Sequence, residues 1–159
     1  WRCDDNKSYH VEYGFSCMGY EIAGGLGVKM ASPDRDVFVV VGDGSYMMMN
    51  SELATSVMMG QKIIVIVLDN RGYGCINRLQ MATGNEPFNN LLEDCHSIDQ
   101  GAPKLDFAAH AKAMGAQAES VSSIAALEQA IQRAKQAERS YLIAIDTDPY
   151  VTTCNGNSW

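Results

Sequence analysis

Two stretches of the chain are apolar almost without interruption. Residues 36–41 read DVFVVV and residues 62–68 read KIIVIVL. Both are rich in β-branched side chains, and neither alternates with polar residues. Strands of that kind are apolar on both faces, as in a parallel sheet covered on both sides. Residues 45–59 between them have the length of a helix, with Ser45 as the expected N-cap and Gly60 as the stop. Strand, helix and strand together predict a βαβ unit.

Downstream the period becomes that of amphipathic helices. Asp106 opens a helix that carries Phe107, Ala111 and Met114 on one face and ends at Gly115. Residues 116–120 form a short strand. Ser123 then caps another helix, with Ile124, Leu127, Ile131 and Ala134 as its apolar stripe. Residues 141–146, YLIAID, are the last strand. Upstream, residues 14–27 hold five glycines, which predicts a turn leading into a tightly packed helix. Residues 81–104 show no periodicity, and a loop of 24 residues in a compact domain is usually functional. The run Met47–Met49 is expected in the core. The fold class is therefore α/β, an open, mostly parallel sheet with helices on both faces.

Composition narrows the function classes. The 159 residues suit one domain, and 47% hydrophobic content suits a folded one. A net charge of −7 argues against a nucleic-acid partner, which needs clustered Lys and Arg. No apolar run approaches the length of a membrane span. The five cysteines are scattered without a CxxC, so reduced thiols in a cytoplasmic protein are expected. The chain opens without a methionine or a secretion signal and stops abruptly, so it is expected to be a segment of something longer.

The candidate chemistry sits where the two apolar strands end. Gly42-Asp43-Gly44 follows the first, and Asn70-Arg71-Gly72 follows the second. In open α/β sheets, ligands bind beyond the carboxyl ends of the strands. Gly42 and Gly44 let the backbone turn sharply, and the N–H groups of the next helix favour a phosphate. A carboxylate beside a phosphate is repelled unless a cation lies between them. Mg²⁺ takes about six oxygens, commonly one or two carboxylates plus phosphates. Asp43, the Asn70 amide and the Gly72 carbonyl are the candidate metal ligands. Either turn alone is ordinary; two of them, each closing an apolar strand and joined by one crossover, are specific.

This pattern, with Asn70 27 positions after Asp43, resembles the motif of thiamine-diphosphate-dependent enzymes of the acetolactate-synthase-like family. The resemblance runs from residue 13 to about residue 149. It implies a thiamine diphosphate/Mg²⁺-binding domain over residues 1–149, with 150–159 beginning a further extension. It implies that Asp43, Asn70 and the Gly72 carbonyl hold Mg²⁺, while Gly42, Gly44 and Ser45 form the diphosphate turn. Met18, in the SCMGY run 25 positions before Asp43, matches the apolar residue that bends the cofactor into a V. The Ser16 carbonyl and the Met18 N–H would then bond the aminopyrimidine. Glu21 and Ala23 depart from the family, where Gly and Pro are usual.

Within the family, the runs EYGFSCMGYEIAGGLG, DNRGYGCINRLQ and VTTCNGNSW resemble an inositol-catabolic branch. Those enzymes hydrolyse the carbon–carbon bond between adjacent carbonyls of a cyclic polyhydroxy dione, giving 5-deoxyglucuronate. Cys75, Ile76 and Asn77 are the implied substrate contacts. Arg78 stands between a surface salt bridge and a contact to the product carboxylate, and His96 could line the pocket from the long loop. The activating glutamate is expected from the pyrimidine-binding domain of the same or a neighbouring subunit, so the full-length protein is expected to be a homo-oligomer. Glu12, Glu21 and Glu52 are poor substitutes for it. An acetolactate-synthase-like lyase or decarboxylase is the alternative within the family. A non-catalytic phosphate-binding or docking domain is the alternative outside it.

Overall fold

The computed structural model describes residues 3–12, 14–94 and 104–151. His96 and residues 152–159 therefore lie outside the described residues. The chain runs through α1 (Tyr20–Ala31), β1 (Phe38–Gly42), α2 (Asp43–Met48), α3 (Ser51–Met58), β2 (Ile64–Asp69) and α4 (Gly74–Ala82). A single 3-10 turn follows at Leu92–Asp94, and then α5 (Phe107–Ala113), β3 (Gln117–Val121), α6 (Ile124–Gln136) and β4 (Tyr141–Asp146). The described strands form one sheet in the order β1-β2-β4-β3, with every neighbouring pair parallel. Among the described residues no helix is long and apolar enough to cross a membrane.

Strand alternation divides the core in two. Val39, Val41, Val65, Val67, Leu142 and Ala144 point to one face, where Ile22 of α1, Tyr46 of α2, Leu53 of α3 and Phe107 of α5 cover them. Ile64 and Ile143 point to the other, beneath Ala130 and Ala134 of α6. Helices thus lie on both faces, as the apolar runs predict. The expectation of burial on both faces fails at β1, where Val40 is 57% exposed. β1 is the edge of the described sheet, and α6 covers β4 and β3 instead.

Asp106 and Ser123 cap their helices as expected, accepting from the N–H groups of Ala109 (2.8 Å) and Ala126 (3.2 Å). Gly60 and Gly115 close theirs at φ 64° and 89°. Four details differ. The expected helix over residues 45–59 is broken at Met49 and Asn50 into α2 and α3. Its first residue is Asp43, so Gly42, not Ser45, is the N-cap, and Ser45 is buried inside the first turn. The break turns Met47, Met48 and Met49 outward, leaving each more than two-fifths exposed, while Tyr46 and Leu53 take the core side. In α6, Ile124 is likewise exposed, and Ala130 takes its place in the buried stripe.

Register brings the strand ends level. Gly42 pairs with Leu68, Leu68 with Ile145, and Asp69 with Asp146. The turns after β1 and β2 therefore leave the sheet side by side. α1 approaches β1 closely because it carries glycine at the crossing: a Cβ on Gly25 would strike the Val39 side chain.

Candidate functional site

The two strand-end turns meet through Asp43. Its side chain is buried, 5% exposed, between the first turn of α2 and the loop after β2. Asp43 Oδ2 accepts from the Gly72 N–H at 2.7 Å, and Oδ1 from the Asn70 N–H at 3.3 Å. One amide atom of Asn70 lies 2.9 Å from the Gly72 carbonyl oxygen and 3.2 Å from Asp43 Oδ1. With nitrogen there, the amide donates to both. With oxygen there, three acceptors converge with no proton between them, which is the set a cation satisfies. Neighbouring oxygens around a six-coordinate Mg²⁺ at about 2.0–2.1 Å sit roughly 2.9 Å apart, close to these separations.

Burial raises the Asp43 carboxyl above the ordinary carboxylate range, more than the Gly72 N–H lowers it; the nearby Asp69 charge raises it further. The metal-free site is thus short of positive charge. Asp69 is itself buried, with Oδ1 accepting from the Arg71 N–H at 3.0 Å. Arg71 takes φ 60° and Gly72 φ 147°, which swings the chain back toward Asp43.

Gly72 and Gly44 are required by close approach. A Cβ on Gly72 would strike the backbone oxygen of Asn90. A Cβ on Gly44 would lie 2.6 Å from the Tyr73 ring and 3.4 Å from the Gly72 oxygen. Residues 90–92 clasp the loop from outside: Tyr73 N–H donates to the Asn90 carbonyl (2.7 Å) and Leu92 N–H to the Arg71 carbonyl (2.9 Å). Gly72 and Leu91 form an isolated antiparallel bridge there. The long aperiodic loop thus includes a strap over the metal-type turn, which sequence reading missed. A bridge of one residue pair leaves no periodicity to detect.

The substrate candidates fall on α4, a helix that the sequence pattern does not predict. Cys75 is a half-buried free thiol, and Ile76 is exposed. Asn77 is buried, 4% exposed, with its Oδ1 3.5 Å from Asn90 Nδ2, so it faces the strap. Arg78 donates to the Pro149 carbonyl at 3.4 Å and makes no salt bridge among the described residues.

The Ser16–Met18 turn precedes α1. Met18 is 38% exposed, and Ser16 has φ 50°. Two carboxylates brace this turn. Glu12 accepts from the N–H groups of Phe15 (3.0 Å) and Cys17 (2.8 Å), and Glu21 from that of Gly19 (2.9 Å). The Cys17 N–H most strongly, and then the Phe15 N–H, hold the Glu12 carboxyl below its ordinary range. Sequence reading weighed Glu12 and Glu21 only as acids and missed this bracing. The available signal was an acid placed a few residues from the backbone donors of a glycine-rich turn. Gly19, at φ 92°, brings the turn against Met48 and Met49, whose Cβ atoms lie 3.3 Å from where its own would stand. The two halves of the candidate site are thus joined through the start of α1 and the end of α2.

Comparison with known proteins follows the same lines. A family model described as thiamine pyrophosphate enzyme, C-terminal TPP binding domain, matches residues 1–145. A 3D-(3,5/4)-trihydroxycyclohexane-1,2-dione hydrolase of Geobacillus thermodenitrificans (strain NG80-2) is 44% identical over 165 residues, covering 100% of this chain and 26% of the relative. A second such hydrolase, from Bacillus cereus, is 42% identical over 163 residues, covering 100% of this chain and 25% of its own length. The chain thus spans about a quarter of the length of these curated relatives. Among solved structures, the thiamine diphosphate-dependent 4-hydroxybenzoylformate decarboxylase of Rhodococcus jostii RHA1 superposes with a TM-score of 0.72 at 24% identity, over 82% of this chain and 23% of that one. That likeness is one of fold.

Proposed function

Because the chain belongs to the thiamine pyrophosphate enzymes, as their C-terminal TPP-binding domain, we propose that it supplies the magnesium–diphosphate half of a hydrolase active site. The reaction is cleavage of the carbon–carbon bond between the two carbonyls of trihydroxycyclohexane-1,2-dione, giving 5-deoxyglucuronate. The observation that carries this reading is the convergence of Asp43, Asn70 and the Gly72 carbonyl at the level ends of adjacent parallel strands. The activity and substrate rest on the names of relatives at 44% and 42% identity and on the GCINRLQ run.

The residues present fit Mg²⁺. One buried carboxylate, one amide oxygen and one carbonyl are hard oxygen donors, and diphosphate oxygens and water complete the shell. Asp43 then finds the positive charge that its burial lacks. The first-turn N–H groups at Gly44 and Ser45, which no helical carbonyl can reach, face the diphosphate. With only six residues in α2, these N–H groups matter more than a helix dipole. Met18 would support the bound cofactor, and the Ser16 carbonyl and Met18 N–H would hold its pyrimidine. Bound thiamine diphosphate supplies a carbon nucleophile and an electron sink. Ile76 and Cys75, at the start of α4 beside the metal turn, are the pocket residues nearest the substrate, with Asn77 behind them.

The activating glutamate comes from a pyrimidine-binding domain of the same or a neighbouring subunit, within a homo-oligomer in the cytoplasm. Exposed Phe15, Met18, Met48 and Met49 support such a partner, since apolar surface of this kind around a site calls for a cover. The test is product analysis on the full-length protein with thiamine diphosphate and Mg²⁺. Formation of 5-deoxyglucuronate from the cyclic dione supports the reading. Acetolactate from pyruvate, without dione cleavage, assigns the protein to the lyases instead.

A further inference from the structure

We propose that Glu12 is a positioning residue that aims the Ser16 carbonyl, and so sets affinity for the pyrimidine end of thiamine diphosphate. This rests on the cofactor reading above and extends it to a residue that touches neither metal nor diphosphate. The geometry is specific. The Ser16 carbonyl and the Cys17 N–H belong to one peptide plane, and in a trans peptide they point in opposite directions. Glu12 Oε2 takes the Cys17 N–H at 2.8 Å, so the Ser16 carbonyl is driven to the opposite side. Oε1 takes the Phe15 N–H at 3.0 Å, fixing the Gly14–Phe15 peptide as well. One carboxylate thereby holds the peptides on either side of the Phe15–Ser16 pair, whose serine takes φ 50°, a conformation that a serine does not choose unaided.

The clamp needs a carboxylate. Two oxygens accept two N–H groups at once, and the negative charge strengthens both bonds. Glutamine offers one acceptor and turns an N–H₂ toward the other donor. Alanine releases both. Glu21 holds the far end of the turn through Gly19 but reaches neither donor beside Ser16. The Asp43 cluster lies on other turns, so loss of the clamp leaves the metal–diphosphate contacts in place.

The experiment is calorimetry on the full-length protein with Mg²⁺, using two probes: thiamine diphosphate and inorganic pyrophosphate. Wild type, Glu12→Gln, Glu12→Ala and Asp43→Ala are compared. Glu12→Gln is expected to weaken thiamine diphosphate about tenfold, and Glu12→Ala more, with pyrophosphate affinity unchanged in both. A merely structural role would weaken both probes together, and that result overturns the proposal. So does thiamine diphosphate affinity in Glu12→Ala within about twofold of wild type. Asp43→Ala keeps the two ideas apart. It should lose both probes; if it loses neither, the cofactor reading itself is wrong and the role of Glu12 falls with it.

Discussion

At the scale of single residues, Asp43 carries a buried charge that a proton or a cation relieves. Its carboxyl is raised by burial, so the folded state holds that proton more tightly than the unfolded chain does. Stability from this group is therefore greatest in acid, and is lost as pH rises through the ordinary carboxylate range and past the folded value. Melting temperatures of metal-free wild type and Asp43→Asn, measured from about pH 4 to about pH 7, should show the variant gaining on wild type as pH rises. Saturating Mg²⁺ and thiamine diphosphate at neutral pH should reverse the order. A constant difference across that range would show that the carboxyl is not strained by burial. Gly72 carries a different constraint, since any Cβ meets the Asn90 backbone and φ is 147°. Gly72→Ala should cost about 3 kcal/mol in urea unfolding and shift the strap, not merely the turn.

At the scale of elements, the start of β4 is tied to its neighbours by a buried serine pair. Ser140 Oγ accepts from the Ile63 N–H at 3.1 Å and shares a bond of 2.7 Å with Ser56 Oγ on α3. Ser140→Ala leaves a buried backbone donor without a partner, and should cost about 2 kcal/mol in equilibrium unfolding. A loss below about 0.5 kcal/mol would mean that another acceptor replaces it. The sequence gives little sign of this tie, because a serine before a strand reads as a turn residue. By contrast, β2, β4, α5 and α6 were legible: continuous β-branched runs, and caps at Asp106 and Ser123, each state their element locally. α2 and α3 were read as one helix because Met49 and Asn50 are not strong breakers, and the break answers to packing around Tyr46 and Leu53. That Asp43, Asn70 and Gly72 meet was legible for a similar reason, as each ends or follows an unambiguous strand. The bracing by Glu12 and the strap at residues 90–92 were not, because backbone hydrogen bonds to a turn leave no pattern in side-chain type.

At the scale of the whole molecule, one α/β unit carries the aligned strand ends of the proposed site, with Phe15, Met18, Met48 and Met49 left exposed. The relatives it matches are about four times as long, and on the proposed reading the activating glutamate comes from outside this segment. The 159-residue chain alone should therefore bind thiamine diphosphate at least about tenfold more weakly than the full-length protein, and turn over nothing. Equal affinity would place the whole cofactor site within this unit. The most direct measurement is calorimetric titration of thiamine diphosphate into the full-length protein with Mg²⁺, and again with the metal chelated, for wild type and Asp43→Ala. Binding that needs both Mg²⁺ and Asp43 is the expected result. Equal binding by the two proteins, or binding indifferent to Mg²⁺, would contradict the assignment of these strand ends to a metal–diphosphate site.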